Sequence, residues 1–398
     1  MILDKNIKFI LEILQKNGQG YIVGGFIRDT FLGLNPKDCD FLTDIEYDKL
    51  LKIFKEYSPK EIGKAFGIIQ IKIDKETYEI VKMRQDKGIP ENRKEQEIEF
   101  TKNIYEDLKR RDFTINAIAY DGAKFYYGDP SSKNDLEKKY LRFVGDCSQR
   151  VEEDPLRIMR YFRFLATKDL MYDDITIKKL ETSKSLLKKL SVERIREELN
   201  KIILGKNSFK ILKLMSENKI LEEIFPEIEI KNNLLLKNLE KLDEDLIIRL
   251  AVLFYKTKDV KSILYKFRYD NKSVERVSKL IDLLNTDVVE KYDIFLKKKL
   301  NLSGTEDIEK YIKILKINKN LFKNIDLEKM EEIYFYILEN NLPYSIKDLK
   351  ISGKDLIQLG FNGKEIGEIL NLLLERVIKS PQANTKEKLI ELIKKSNI

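Results

Sequence analysis

Apolar and polar positions along this chain follow two different rhythms. In the first ~145 residues, short apolar runs with a period of two or no polar interruption alternate with stretches whose apolar residues recur every three to four positions. The runs Tyr21–Val23, Asp38–Leu42, Ile68–Ile73 and Tyr78–Met83 predict strands, the last two joined by a turn at Asp74-Lys75. Helical spacing covers residues 3–16, 25–33 and 46–56. Strands and helices interleaved in this way predict a small α/β domain around a mixed sheet.

Beyond Pro155 only the helical rhythm remains. No glycine occurs from Lys206 to Ser303, and Pro226, Pro343 and Pro381 are the only later prolines. Breakers this scarce predict an almost wholly helical second part. With short connections and no fixed repeat period, the pattern favours a series of helical bundles over a solenoid. In ISGKDLIQLGFNGKEIGEIL, two short helices flank a Gly-containing turn. The predicted fold class is therefore α+β, a small mixed α/β head followed by helices alone.

Composition narrows the chemistry. The 398 residues suffice for two or more cores. Lys and Arg number 75 against 67 Asp and Glu, and the resulting +8 permits a nucleic-acid partner but equally fits solvated helix faces. No stretch approaches the ~18 apolar residues of a membrane span. The opening MILDKNIKFILEILQKNG interrupts its apolar residues with Lys and Asp, so it reads as a cytoplasmic helix and not as a signal peptide. With no His, imidazole bases and His ligands are excluded, and Cys39 and Cys147 are too few for a four-thiolate zinc site or a disulfide framework. Catalysis must rest on carboxylates, Lys/Arg, hydroxyls or an oxygen-bound hard cation such as Mg²⁺.

The segment GYIVGGFIRDTFLGLNPKDCDFLTD holds such parts. Gly24 and Gly25 at a strand-helix junction let backbone N–H groups approach a phosphate, and Arg28-Asp29 follow on the helix. Asp38 and Asp40, two apart on a strand, project to one face and converge on one cation, while Cys39 points the other way into the core. Further on, Glu153, Asp154 and Arg157 fall at i, i+1 and i+4 of a helix opened by Pro155. Asp154 can accept from the exocyclic amine of cytosine or adenine while Arg157 donates to the same edge, a pattern guanine and uracil do not match. An ordinary surface ion pair is the competing account. Ser191 can cap a helix on which Arg194, Glu198 and Lys201 lie at spacings of four and three, enough for an ion-pair network bracing the chain.

GGFIRD…KDCDFLTD resembles the first motif of the class II tRNA nucleotidyltransferase and bacterial poly(A) polymerase family. Four further motifs follow in that family's order: RRDFTINAIAYD at 110–121, Asp129-Pro130 with Asp135-Leu136, EEDPLRIMRYFRF at 152–164 and SVERIREELNK at 191–201. The resemblance spans essentially the whole chain. It implies that Asp38 and Asp40 hold two Mg²⁺ ions that activate an RNA 3′-hydroxyl and stabilise the pyrophosphate leaving group. Glu79 is either a third carboxylate or a cross-strand partner for a lysine. Arg111 and Asp112 match positions that contact the nucleotide's ribose, and Asn116 joins them or caps local backbone. Asp154 and Arg157 match a protein template for CTP and ATP, with Glu153 orienting the arginine. Arg160 approaches the triphosphate or extends the network.

The resemblance also implies a division of labour. Residues 1–145 would form a catalytic nucleotidyltransferase head, 146–205 a neck that recognises the base, 206–335 a helical body and 336–398 a tail that binds tRNA. The span after Met83 matches a flexible loop, with Arg84, Arg93 and Lys94 as its basic residues, although Lys82-Met83 replace the common Thr-Phe and Glu95 a common Pro. In the tail, the Gly360–Gly367 turn could offer N–H groups to RNA phosphates. The implied activity is template-independent addition of CCA to the 3′ end of tRNA from CTP and ATP, with the tRNA acceptor/T arm as partner and neither zinc nor membrane involved. Poly(A) polymerase, a CC- or A-adding relative, and a non-catalytic RNA-binding helical protein are the alternatives.

Overall fold

The computed structural model describes residues 2–36, 38–87, 97–228, 230 and 233–395. They form two compact units, Met1–Pro226 and Glu227–Ile398.

The first unit is built on a mixed sheet. Its strands are β1 (Gly20–Val23), β2 (Asp40–Thr43), β3 (Lys60–Gly63), β4 (Ile68–Ile73), β5 (Glu76–Lys82), β8 (Ile118–Tyr120) and β9 (Phe125–Tyr127), in the order β3-β4-β5-β2-β1-β8-β9. β6 (Arg84–Lys87) and β7 (Glu97–Phe100) form a separate antiparallel ribbon. β2 and β5 run parallel, whereas β1 is antiparallel to both its neighbours. All four residues of β1 are buried because it lies inside the sheet, covered by the helix Lys5–Asn17. Asp4 caps that helix by accepting from the Ile7 N–H at 2.8 Å, and Ile7, Ile10, Leu11 and Leu14 are its buried stripe.

The predicted strands and helices of this unit are present, with three local differences, one being that the helix expected over 46–56 is the helix Tyr47–Ile53 followed by a single 3-10 turn, Lys55–Tyr57. The strand expected over Asp38–Leu42 begins at Asp40, which leaves Asp38 exposed on the loop before it. The single helix expected to carry Glu153, Asp154 and Arg157 is two, Cys147–Glu153 and Leu156–Thr167. Pro155 forces the break, since the residue before a proline is pushed out of the helical region, and Asp154 is extended at φ −147°, ψ 99°. The helix Leu156–Thr167 packs against Val192–Ile203, and nine of its residues are buried, among them Arg157.

The second unit is helical throughout its described residues, its longest members being Asn271–Leu284, Tyr292–Ile317, Leu327–Glu339 and Lys364–Lys379. Gly304, at φ 77°, breaks Tyr292–Ile317 into two segments. Leu356, Ile369, Leu373, Leu374, Val377 and Leu389 anchor a separate core for the tail. The glycine turn there ends at Gly363, and Gly367 already lies inside the helix Lys364–Lys379. No helix among the described residues is long and apolar enough to cross a membrane.

Candidate active site

The sheet places two strand ends side by side. In the registers of β1, β2 and β5, Val23 faces Asp40 and Asp40 faces Glu79. These three line a cavity of about 800 Å³ together with Gly24, Gly25, Arg28 and Asp38. Among the described residues no hydrogen-bond donor engages the side chains of Asp38, Asp40 or Glu79. Burial pushes the Asp40 carboxyl up to about 6, Glu79 and Asp38 push the same way, and the nearby Arg111 only partly offsets them. Among the described residues no lysine pairs with Glu79, and of its two expected roles the register beside Asp40 favours the one with the carboxylates.

Gly24 serves a different purpose from the one its sequence suggests. Gly24 donates its N–H to the Ile118 carbonyl at 3.2 Å, which removes it as a phosphate ligand. Its positive φ of 63° and the guanidinium of Arg111, 2.9 Å from where a Cβ would sit, exclude a side chain instead. Gly25 opens the helix Gly25–Phe31 without a side-chain cap. On that helix Arg28 donates to Asn116 Oδ1 at 2.7 Å and to Asp29 Oδ1 at 2.8 Å. Asn116 in turn donates to Asp112 Oδ1 at 2.9 Å, so it joins the side-chain network beyond any local cap.

Most of the remaining lining comes from the segment that follows the helix Ile104–Lys109 and from Asp154 and the helices after it, and there both carboxylates, Asp112 and Asp154, are bonded. Asp112 takes Asn116 and the Phe113 N–H on one oxygen and Arg160 Nε at 2.8 Å on the other. Burial alone would raise its pKa, but Arg160 and Asn116 bring the carboxyl below the usual range. Arg160 is thus committed to Asp112. Arg157 Nη1 donates to Glu153 at 2.7 Å and to the Arg150 carbonyl at 2.9 Å, and its Nη2 donates to the Arg110 carbonyl at 3.0 Å. Glu153 does orient Arg157, although it lies outside the cavity lining. Asp154 lines the cavity and receives Arg194 Nη2 at 3.1 and 3.2 Å.

The expected network along the helix Val192–Ile203 is a set of links between helices. Arg194 reaches Asp154, Glu198 pairs with Arg163 at 3.0 Å, and Lys201 lines the cavity. Ser191 holds the N-cap position, but its side chain accepts no backbone bond. Arg84 stands on β6 outside the cavity lining, and Arg93 and Lys94 lie outside the described residues. The cavity also recruits Arg110, Arg163, Phe164 and Lys168, none singled out by the sequence reading. Arg163 lies inside the quoted EEDPLRIMRYFRF segment, and its spacing of three from Arg160 was the available signal.

Eight cationic and five acidic side chains therefore line one cavity. The cations suit a polyphosphate, the unbonded acids a hard cation, and the Asp154–Arg157 pair a base edge. A mixed sheet with paired carboxylates beside a cationic helical wall defines a nucleotidyltransferase. Residues 20–142 match the Poly A polymerase head domain, 173–231 the RNA and SrmB-binding site of polymerase A, and 241–393 the tRNA nucleotidyltransferase domain 2. The CCA-adding enzyme of Bacillus subtilis strain 168 is 30% identical over 97% of this chain and 96% of its own length. That of Lactococcus lactis subsp. cremoris MG1363 is 30% identical over 97% and 95%. The CCA-adding enzyme of Bacillus stearothermophilus, solved in complex with CTP, superposes with a TM-score of 0.81 at 22% identity, covering 99% of both chains. This chain belongs to the family of CCA-adding enzymes.

Proposed function

We propose that this chain adds CCA to the 3′ end of tRNA from CTP and ATP and releases pyrophosphate at each addition. The observation that carries this reading is the single cavity in which unbonded carboxylates face an arginine-rich wall bearing the Asp154–Arg157 pair. The curated relatives, CCA-adding enzymes by name, support it along almost the full chain.

Each residue then has a task. Arg28, Arg111, Arg163, Lys168 and Lys201 supply the charge that balances a triphosphate. Arg157, fixed by Glu153 and two backbone carbonyls, donates toward cytosine or adenine, and Asp154 accepts from the exocyclic amine once Arg194 yields an oxygen. Asp112, Arg160 and Asn116 hold the ribose end of the pocket as a bonded unit.

A divalent metal fits Asp38 and Asp40. They are oxygen donors with no competing donor among the described residues, and the burial of Asp40 beside Glu79 and Asp38, which raises its pKa, is what a cation relieves. Among the described residues no group of three acidic, Cys or His side chains is gathered tightly enough to hold an ion unaided, so phosphate oxygens would complete the coordination, as Mg²⁺ commonly requires. Bound there, Mg²⁺ would polarise the phosphoryl oxygens and lower the barrier to attack by the RNA hydroxyl. We assign residues 1–145 to the head, 146–205 to the neck, 206–335 to the body and 336–398 to a tail that contacts the acceptor/T arm. We assign the reaction to the cytoplasm, where tRNA would meet it as substrate.

The test is incubation with tRNAs ending before CCA, after C and after CC, with labelled CTP and ATP supplied singly and together. Stepwise C, C, A addition followed by arrest is expected. An unlimited A tract, addition of C or A alone, or no transfer would each replace this reading with one of its alternatives.

A further inference from the structure

Asp107 plays no part in the reading above, yet as many donors converge on it as on Asp112. It sits on the short helix Ile104–Lys109 and has no exposed surface. Its Oδ1 accepts from Arg110 Nε at 3.0 Å, Arg110 Nη2 at 2.7 Å and the Arg84 N–H at 3.2 Å, and its Oδ2 accepts from Arg111 Nη2 at 3.2 Å. Arg110 Nε also donates to the Arg84 carbonyl at 3.1 Å, which ties the start of β6 to the same point.

Two of these partners lead into the pocket. Arg111 lines the cavity beside Gly24 and acts on Asp40 through its charge. Arg110 holds Arg157 through its backbone carbonyl at 3.0 Å, and Arg157 is half of the base-reading pair. One buried anion therefore fixes, at one remove, a phosphate-facing cation and a base-facing one. It contributes to the chemistry only through them, since it does not itself line the cavity. A charge buried so fully is retained at a desolvation cost, and the three arginines' donors are what offset it.

We propose that Asp107 is a positioning residue for nucleotide choice: it sets Arg110, and through it Arg157, so that base selection depends on a carboxylate that never touches the nucleotide. The proposal rests on the reading of Arg157 as a base-recognising donor. An isosteric Asp107→Asn change keeps the volume, removes the charge and leaves one oxygen where two accepted. Without the anchor, Arg110 and Arg111 gain rotamer freedom and the Arg110 carbonyl loses its fixed aim.

The test is single-nucleotide incorporation on a tRNA lacking CCA, with each of the four triphosphates, for Asp107→Asn, Arg157→Ala and the double variant. For Asp107→Asn a roughly tenfold rise in KM for both CTP and ATP is expected, with raised UTP and GTP incorporation and kcat changed by less than about threefold. In the Arg157→Ala background, Asp107→Asn should add no further loss of selectivity, because both act through one side chain. Thermal unfolding followed in parallel separates this from loss of fold, which lowers the active fraction without altering base preference. Unchanged selectivity in Asp107→Asn, or additive loss in the double variant, would overturn the proposal. Unaltered base choice in Arg157→Ala itself would instead overturn the reading beneath it. Should Asp107→Asn not fold, Arg110→Lys keeps the charge and the carbonyl but removes the guanidinium fork, and the same rise in misincorporation is expected from it.

Discussion

Asp40 and Asp112 line the same cavity and are both withdrawn from solvent, yet they are kept in opposite states. Asp40 has no donor among the described residues and two acidic neighbours, so its carboxyl is pushed up to about 6. Asp112 is surrounded by burial that opposes its charge, but Arg160, Asn116 and a backbone N–H hold it ionised. The strand edge thus keeps unsatisfied charge available for a ligand, while the helical wall spends its charge on fixing side chains. Electrostatic strain marks the place where chemistry needs a cation, and saturation marks the place where recognition needs rigidity.

The largest effect that would break this contrast lies at the strand edge. Asp40→Asn or Asp38→Ala should lower transfer by about 10³-fold or more, the loss of one clamp on a developing phosphoryl charge. tRNA affinity measured by filter binding should change little in either variant. Near-normal turnover would show that these carboxylates are ordinary surface groups.

Next comes the saturated wall, where the cost should appear as stability. Asp112→Ala leaves Arg160 and Asn116 without their acceptor and should cost about 2–4 kcal/mol in denaturant unfolding, less than a fully buried pair because Arg160 is part-exposed. The depressed pKa of Asp112 means that its contribution is present above about pH 4 and is lost only as pH falls through the lower folded value.

Asp40 should show the reverse sign. With its folded pKa raised from 3.8 to about 6, the native state carries a penalty that is absent below pH 4, grows between pH 4 and 6 and is complete above. Asp40→Asn should therefore stabilise the metal-free protein at pH 8 by about 1–3 kcal/mol, and the gain should vanish near pH 4. Adding Mg²⁺ should raise the melting temperature of the wild type more than that of the variant. A variant less stable than wild type at pH 8 would mean that Asp40 is a bonded structural residue. The smallest effect should come from the exposed Lys313–Asp243 pair, where Lys313→Ala should cost under ~0.5 kcal/mol.

Much of this contrast was legible in the sequence, and the omissions have physical causes. Asp38, Asp40, Asp154 and Arg157 stand in local motifs whose spacing pointed to a shared face, whereas Arg111 and Asp112 were legible only through the family resemblance of RRDFTINAIAYD. The strands β3, β6, β7, β8 and β9 are three or four residues long, a length at which a period of two hardly registers; β1 and β2 are as short, but Gly24-Gly25 and the Asp38–Asp40 spacing mark them. The helix break at Asp154 follows from Pro155 and could have been read from the chain, since a proline constrains the residue before it. Asp107 could be read only in part: Arg110 and Arg111 lie three and four residues on, the spacing of helical ion pairs, but Arg84 joins them only when β6 packs against the helix Ile104–Lys109. Arg194 and Glu198 were visible as a helical pair, but tertiary packing turned each toward a different neighbour. Local spacing predicts which residues share a face, and only the fold decides what that face meets.

The most direct test of the division between the two walls is single-nucleotide incorporation with Asp40→Asn and Asp154→Ala side by side, on a tRNA lacking CCA and with all four triphosphates. If the strand edge supplies chemistry and the helical wall supplies choice, Asp40→Asn loses transfer of every nucleotide in proportion. Asp154→Ala, by contrast, keeps Mg²⁺-dependent transfer and admits UTP or GTP beside CTP and ATP. An Asp154→Ala variant that retained strict C and A preference, or an Asp40→Asn variant that changed preference and kept its rate, would contradict that division.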